Sequence, residues 1–212
     1  MNVLNEKQLE TLTSYIRVGA SEASQALSTW LGRDVQVSME HLEQVSLEVA
    51  TEQLGPADET VCACCMRVSG AVSGQLLLGF DDASGLMLCD TLLTRDERSI
   101  EWGELEISAA METTNIVGCA FLNSLSRVFP ESLSAQNPAE IANDQTWIPT
   151  PPVFVRDYAA AIMQFALMDQ ACDFDAVLVA QTKFAIDGMP IGWRLLLIPD
   201  AEVLKELSRV LP

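Results

Sequence analysis

The sequence predicts an α+β fold in which two long helices pack on one shared, mostly antiparallel sheet. Two stretches, residues 7–31 and 103–127, carry apolar residues at helical spacing. Two further regions, residues 60–80 and 175–198, each read as a strand pair joined by turn residues. The two halves of the chain also resemble each other, so the same helix-and-sheet unit is expected twice.

The first half is expected to open with the helix at residues 7–31. Asn5 is a candidate N-cap, and Gly32 is a candidate stop. The other elements expected here are extended segments at 35–39 and 45–49, strands at 60–68 and 74–80 joined by a turn at 69–74, a helix at 82–93 capped by Asp82, and a polar linker at 94–99.

The second half is expected to open with the helix at residues 103–127, which ends before Pro130. The other elements expected here are extended segments at 132–137 and 145–155, a helix at 156–169, strands at 175–186 and 192–198 around a turn at 187–190, and a closing helix at about 200–210.

The internal likeness can be read directly from the letters. GQLLLGFDDASGL at 74–86 aligns without gaps with GWRLLLIPDAEVL at 192–204, and the opening helices align at an offset of 98. We therefore predict a single domain, residues 1–212, built of two repeats at about 5–96 and about 100–212.

Charge and hydropathy exclude several classes of partner. The chain has 212 residues and 30 Asp and Glu against 12 Lys and Arg, a net charge of −18. Such a surface disfavours nucleic acids and anionic membranes. The longest apolar-rich run, residues 158–168, is too short to span a bilayer. No secretory pattern opens the sequence, so a cytoplasmic location is expected.

The six cysteines give one hint of a metal site. Cys62 and Cys65 have C-x-x-C spacing, but a zinc site needs a second pair of ligands, and the only histidine is His41. In an alternating strand, Cys62 and Cys65 would also point to opposite faces. Reduced, mostly buried thiols are therefore favoured, and no metal is expected on this chain.

The second long helix carries the most informative pair of residues. Glu112 and Asn115 are three positions apart and share one helix face, which the apolar pattern predicts to be exposed. At the offset of 98, the first helix has Ser14 and Arg17 instead, so the scaffold does not require this pair. A solvated helix face is the alternative. An amide can orient a water molecule for in-line attack on phosphorus, and a carboxylate one turn away can bind a cation on a partner.

A longer pattern surrounds that pair. Ser108, Glu112 and Asn115 form S-x-x-x-E-x-x-N, and Pro138 follows after 22 residues. This arrangement resembles the signature of the CheC/CheX/FliY family of chemotaxis phosphatases. The flanking ELEISAAMETTNIVGCAFLNSLS, the opening helix and the closing IDGMPIGWRLLLIPDAEVLKELSRVL also resemble that family, so the likeness covers nearly the whole chain.

The resemblance implies a CheC-like pseudo-twofold fold and an enzyme that hydrolyses the aspartyl phosphate of a CheY-like response regulator. By that likeness, Asn115 would orient the attacking water, and Glu112 would contact a lysine of the regulator. Ser108 would stand at a binding position, and Pro138 would shape a turn. Mg²⁺ would belong to the partner, so this chain would need no cofactor of its own.

One departure from the family pattern leaves alternatives open. The first repeat has Ser14 and Arg17 where CheC-like proteins commonly repeat the pair, which predicts one active face per chain. The chief alternative is a CheC-like adaptor without turnover that binds a response regulator or a CheD-like deamidase. A structural subunit near the flagellar switch, as FliY relatives suggest, is the third hypothesis.

Overall fold

The computed structural model describes residues 3–70, 73–95, 98–126, 148–168 and 176–211. Within those ranges the helices are α1 Glu6–Leu31, α2 Leu47–Ala50, α3 Asp82–Leu92, α4 Glu104–Ser126, α5 Ala159–Leu167 and α6 Ala201–Val210. The strands are β1 Val35–Ser46, β2 Thr60–Ser69, β3 Gly74–Phe80, β4 Ile148–Pro149, β5 Val153–Tyr158, β6 Ala176–Ile186, β7 Met189–Ile191 and β8 Trp193–Pro199. None of these helices combines the length and apolar character that a membrane crossing requires.

All the strands described lie in one sheet, in the order β1-β6-β8-β3-β2-β4, with β5 also paired to β2 and β7 to β6. Each of these pairings is antiparallel. At the centre, β3 pairs with β8, so that Leu77 lies opposite Leu196. The β2–β3 pair from the first half and the β6–β8 pair from the second half therefore join into one sheet. The predicted α+β class with a shared antiparallel sheet is confirmed.

The sheet buries both of its faces, in two separate apolar cores. Successive strand side chains point to opposite faces, so Leu76 and Leu78 enter one core while Leu77 enters the other. The larger core is closed by residues of α1, α3, α4 and α6. The smaller core is closed by residues of α2 and α5. The molecule therefore has three layers, with both long helices on the same side.

The two long helices pack against each other in opposite directions. Gly19 of α1 lies against Phe121 of α4, and a Cβ on Gly19 would come within 3.0 Å of the Phe121 ring and 3.3 Å of its Cα. Tyr15 lies four residues before Gly19 in α1, and Ser124 lies three residues after Phe121 in α4. The Ser124 hydroxyl donates to the Tyr15 carbonyl at 3.4 Å. A glycine at position 19 therefore allows the backbones to approach closely.

The predicted ends of α1 are confirmed. The Asn5 side chain accepts a hydrogen bond from the Gln8 backbone N–H at 3.0 Å, while the Gln8 side chain accepts one from the Asn5 backbone N–H. This reciprocal pair is a capping box. Gly32 follows the helix in the left-handed conformation, with φ of 63°.

The structure corrects three element boundaries. The segments predicted at 35–39 and 45–49 are not two separate strands. Residues 35–46 form one strand, β1, which pairs with β6 through a register shift between Met39 and His41, whereas residues 47–49 lie in the short helix α2. The helix predicted from residue 156 begins at Ala159, because β5 stays paired with β2 as far as Tyr158. The extended segment predicted at 132–137 lies outside the described residues.

The third correction is the cap of α3. Asp81, and not Asp82, accepts the capping hydrogen bond from the Ser84 backbone N–H, at 2.8 Å. Asp82 is the first residue of the helix, and its carboxylate binds other side chains. Asp200 occupies the N-cap position of the last helix, but its side chain makes no capping hydrogen bond.

The C-x-x-C pair cannot share an ion. Cys62 lies in the larger core, whereas Cys65 packs against the smaller core on the opposite face of the sheet. Burial raises the pKa of the Cys65 thiol to about 11, so it stays protonated at neutral pH. Among the described residues, no group of three or more His, Cys, Asp or Glu side chains is arranged to hold a metal.

Candidate functional site

The inward side of α4 is packed so tightly that it fixes the rotation of the helix. Val117 and Phe121 are buried in the larger core. Thr113 and Thr114 are also buried, and each hydroxyl donates to the helix carbonyl four residues earlier, at 2.9 Å. In the sequence E-T-T-N, therefore, the two central threonines turn inward and the outer residues turn away from the core.

The three residues singled out from the sequence lie together on the opposite side of α4. Ser108 and Glu112 are exposed, and Asn115 is half-buried. At about 100° per residue, these positions span an arc of only about 60° around the helix axis. The fourth residue of the signature, Pro138, lies outside the described residues.

The Asn115 carboxamide is held by the next turn of its own helix. The Cys119 thiol donates to Asn115 Oδ1, with 3.7 Å between sulfur and oxygen. Burial, and then the nearby Glu112 carboxylate, raise the pKa of the Cys119 thiol above its ordinary value. The thiol is therefore a proton donor at neutral pH. Within the described ranges no other bond to this carboxamide is seen, so the second lone pair of Oδ1 and the Nδ2 group of Asn115 are available for a ligand.

A buried carboxylate anchors the start of α4. Glu106 accepts from the Gly103 backbone N–H at 3.1 Å and from the Ser99 hydroxyl at 3.3 Å, and it forms an ion pair with Arg95. Its own backbone N–H, and then the Arg95 guanidinium, hold the pKa of the Glu106 carboxyl below its ordinary value. These contacts tie the first turn of α4 to the segment that follows α3.

A second carboxylate joins several elements near the start of α4. Asp82 of α3 receives two hydrogen bonds from Arg156 of β5, at 3.0 and 2.7 Å. It also accepts from Trp102 Nε1 at 2.8 Å and from the Cys62 thiol at 3.2 Å. The Arg156 guanidinium holds the pKa of the Asp82 carboxyl well below its usual range. Asp82 therefore connects β2, β5, α3 and the residues that lead into α4.

The equivalent face of α1 has different chemistry. Ser14 and Arg17 are both exposed, at the positions that correspond to Glu112 and Asn115. The Ser14 hydroxyl donates to the Thr11 carbonyl of its own helix at 2.7 Å. Both long helices thus present these positions to solvent, but only α4 presents a carboxylate and an amide there.

Two features of the site were missed from the sequence. The contact between Cys119 and Asn115 could have been found, because the two residues are four positions apart on a helix. The Asp82 cluster could not, because its partners Trp102 and Arg156 are 20 and 74 positions away and no local motif links them.

Comparison with known proteins identifies the fold. No protein-family model matches the chain. No curated protein matches it either. Among solved structures, FliY from Thermotoga maritima is similar with a TM-score of 0.72 and 17% identity, over 98% of this chain and 97% of FliY. FliM in a FliG–FliM complex from H. pylori is similar with a TM-score of 0.65 and 12% identity, over 96% of this chain and 100% of that chain.

A third similar structure is a complex of CheX with CheY. The CheX–CheY–BeF₃–Mg²⁺ complex from Borrelia burgdorferi is matched with a TM-score of 0.54 and 15% identity, over 89% of this chain and 99% of that chain. Identities at this level establish the fold alone. The chain therefore has the fold shared by FliY, the FliM middle domain and CheX, and the CheC-like resemblance read from the sequence is confirmed at the level of the fold.

Proposed function

We propose that the protein accelerates hydrolysis of the aspartyl phosphate on a CheY-like response regulator. One observation carries the proposal above the others. Glu112 and Asn115 lie on the outward face of α4, while the two threonines between them are buried in the core. The matching face of α1 has Ser14 and Arg17, so the fold does not need a carboxylate and an amide at these positions.

The proposed reaction requires little from this chain beyond positioning the attacking water molecule. Phosphoryl transfer depends on positioning the nucleophile and on stabilising charge, and a side-chain amide can hold a water molecule in line with the phosphorus atom. Asn115 would enter the phosphorylated pocket of the partner and orient that water. The Cys119 thiol, bound to Asn115 Oδ1, would limit the rotation of the amide.

Glu112 would set the register of docking. It is exposed one turn from Asn115, where its carboxylate can pair with a lysine of the partner. The phosphorylated aspartate and Mg²⁺ would both belong to the regulator. A CheY-like partner would require this protein to act in the cytoplasm.

Two observations favour a second candidate, an adaptor or structural subunit without turnover. The fold is shared with FliM in a FliG–FliM complex. The α1 face also lacks the carboxylate and the amide, with Ser14 and Arg17 at those positions. Such a protein would bind a response regulator, a CheD-like deamidase or a flagellar-switch protein, and it would leave the phosphate in place.

The test is a phosphate-release assay on a panel of phosphorylated receiver domains from the same organism. The wild type should accelerate release from at least one of them. Asn115→Ala should lower kcat by about 100-fold or more, because a positioned polar group at the reacting atoms is lost. Glu112→Ala should chiefly raise KM, by about tenfold, because a charge-assisted contact is lost.

The chain offers its own matched controls. Ser14→Ala and Arg17→Ala change the corresponding exposed positions of α1, and both variants should keep wild-type kcat and KM. Tight receiver binding without faster release would favour the adaptor. Wild-type rates in Asn115→Ala would overturn the site assignment.

A further inference from the structure

An exposed leucine lies on the same face of α4 as the proposed catalytic pair. Leu105 is in the first turn of the helix, and 59% of it is accessible to solvent. Its neighbour Glu104 is also exposed. We call Glu104, Leu105, Ser108, Glu112 and Asn115 together the docking stripe.

The stripe is geometrically continuous. At about 100° per residue, all five positions fall within an arc of about 100° around the helix axis. With a rise of about 1.5 Å per residue, Leu105 lies about 15 Å from Asn115 along the axis. A partner that receives Asn115 in a pocket while lying along α4 therefore also meets Leu105 and Glu104.

The first long helix shows that the fold does not require an apolar residue there. The α1 positions corresponding to the stripe, all exposed, are Glu6, Lys7, Glu10, Ser14 and Arg17. Lys7 stands where α4 has Leu105. The core accepts a charged residue at this place in one helix, so packing among the described residues does not explain the leucine.

We infer that Leu105 and Glu104 form a second contact on the receiver domain and determine which receiver this protein selects. The receiver that fits carries an apolar patch beside a lysine or arginine, about 15 Å from its phosphorylated aspartate. Leu105 packs on the patch, and Glu104 pairs with the cation. The inference rests on the proposed function, because Asn115 in the receiver's pocket is what places the stripe on that surface.

Variants of the two residues separate recognition from chemistry. With the receiver found in the panel, Leu105→Ala should raise KM by about tenfold and leave kcat unchanged, since the contact is remote from the reacting atoms. Glu104→Lys should also raise KM. The same variants should weaken binding to the receiver loaded with beryllofluoride and Mg²⁺, measured by titration calorimetry.

A matched pair of controls lies on the other side of the sheet. Glu48 and Val49 are adjacent and exposed in the first turn of α2, as Glu104 and Leu105 are in α4. Glu48→Lys carries the same charge change at a helix N-terminus, and Val49→Ala the same loss of an exposed apolar side chain. Both control variants should keep the wild-type KM and the wild-type affinity for the loaded receiver.

The outcomes of the inference and of the proposed function are distinct. If Asn115→Ala abolishes turnover while Leu105→Ala and Val49→Ala both keep the wild-type KM, the second contact is wrong and the phosphatase stands. If no receiver is dephosphorylated but Leu105→Ala still weakens binding to the loaded receiver, the docking stripe is supported and the enzymatic proposal is overturned.

Discussion

At the scale of single residues, the presentation of Asn115 depends on one thiol. Cys119 Sγ lies 3.7 Å from Asn115 Oδ1, and its raised pKa keeps the donating proton in place. An amide on an open helix face could otherwise rotate freely about its terminal bond. The hydrogen bond favours the rotamer in which Nδ2 is left for a ligand.

Loss of that donor should slow the chemical step. Cys119→Ala should lower kcat by about fivefold, the effect of a hydrogen bond of ~1 kcal/mol, while KM stays the same. Cys119→Ser should restore most of the rate, because a hydroxyl can donate to the same oxygen. Steady-state kinetics with the selected receiver measure both parameters.

The control for this prediction is another thiol. Cys65 faces the opposite side of the sheet, so Cys65→Ala should leave kcat unchanged. An unaltered kcat in Cys119→Ala would show that the thiol has no part in presenting the amide.

Asp82 should account for part of the protein's loss of stability at acid pH. Its folded-state pKa is depressed by Arg156, so its contribution to stability is present above the ordinary carboxyl pKa of about 4 and is lost as the pH falls below it. The melting temperature of the wild type should therefore fall more steeply between about pH 5 and pH 3 than that of Asp82→Asn.

Thermal unfolding followed by circular dichroism measures this difference. Arg156→Gln should flatten the same part of the pH profile, because the carboxylate then loses its strongest partner. Equal slopes in the wild type and Asp82→Asn would show that this ion pair does not contribute to stability.

At the scale of elements, the long helices and central strands were predictable and the sheet margins were not. α1 and α4 have long apolar stripes, and β3 and β8 are buried strands with Leu-rich sequences. The middle of β1, EHLEQ at 40–44, is mostly polar and partly exposed, so its letters do not indicate a strand. This segment is a strand because it pairs with β6, which is distant in the sequence, and no local pattern predicts such a pairing.

The predicted boundary between β5 and α5 was wrong for a similar reason. Residues 156–158 carry the letters RDY before an alanine-rich helix, and helical spacing continues through them. Pairing with Thr60 and Val61 of β2 keeps them extended. In contrast, the outward direction of Glu112 and Asn115 was predictable, because it follows from the apolar residues of the same helix.

The contact between the long helices gives a stability prediction. Gly19→Val should destabilise the protein by about 1–3 kcal/mol, because the added atoms meet the Phe121 ring and backbone. Urea unfolding at neutral pH measures the change in the free energy of unfolding. Ser21→Val places the same β-branched side chain at an exposed position of α1 and should cost less than about 1 kcal/mol.

The two variants must be compared with each other. A Gly19→Val protein as stable as Ser21→Val would mean that α1 and α4 can move apart without loss, against the close packing described above.

At the scale of the whole molecule, the fold provides the scaffold and the net charge influences which partners are attracted. The fold is shared with FliY, FliM and CheX at 12–17% identity, so it specifies a scaffold and leaves its surfaces to vary. The net charge of −18 favours partners with a basic surface. Glu104 and Glu112 would direct that attraction to one face of α4.

The charge predicts a salt dependence of recognition. Raising NaCl from about 0.05 to about 0.5 M should raise KM for the receiver several-fold and change kcat little, because screening weakens attraction between exposed charges. In Glu104→Lys the rise should be smaller, since one of the attracting charges has been reversed. A KM that is independent of salt would contradict electrostatic docking.

The most direct measurement of the central claim is a single-turnover experiment at saturating enzyme. The phosphorylated receiver is mixed with excess wild type or Asn115→Ala, and the decay of the aspartyl phosphate is followed. If Asn115 orients the attacking water, the wild type should accelerate decay and Asn115→Ala should return it to near the rate of the receiver alone, although the complex still forms. Equal acceleration by both proteins would contradict the account.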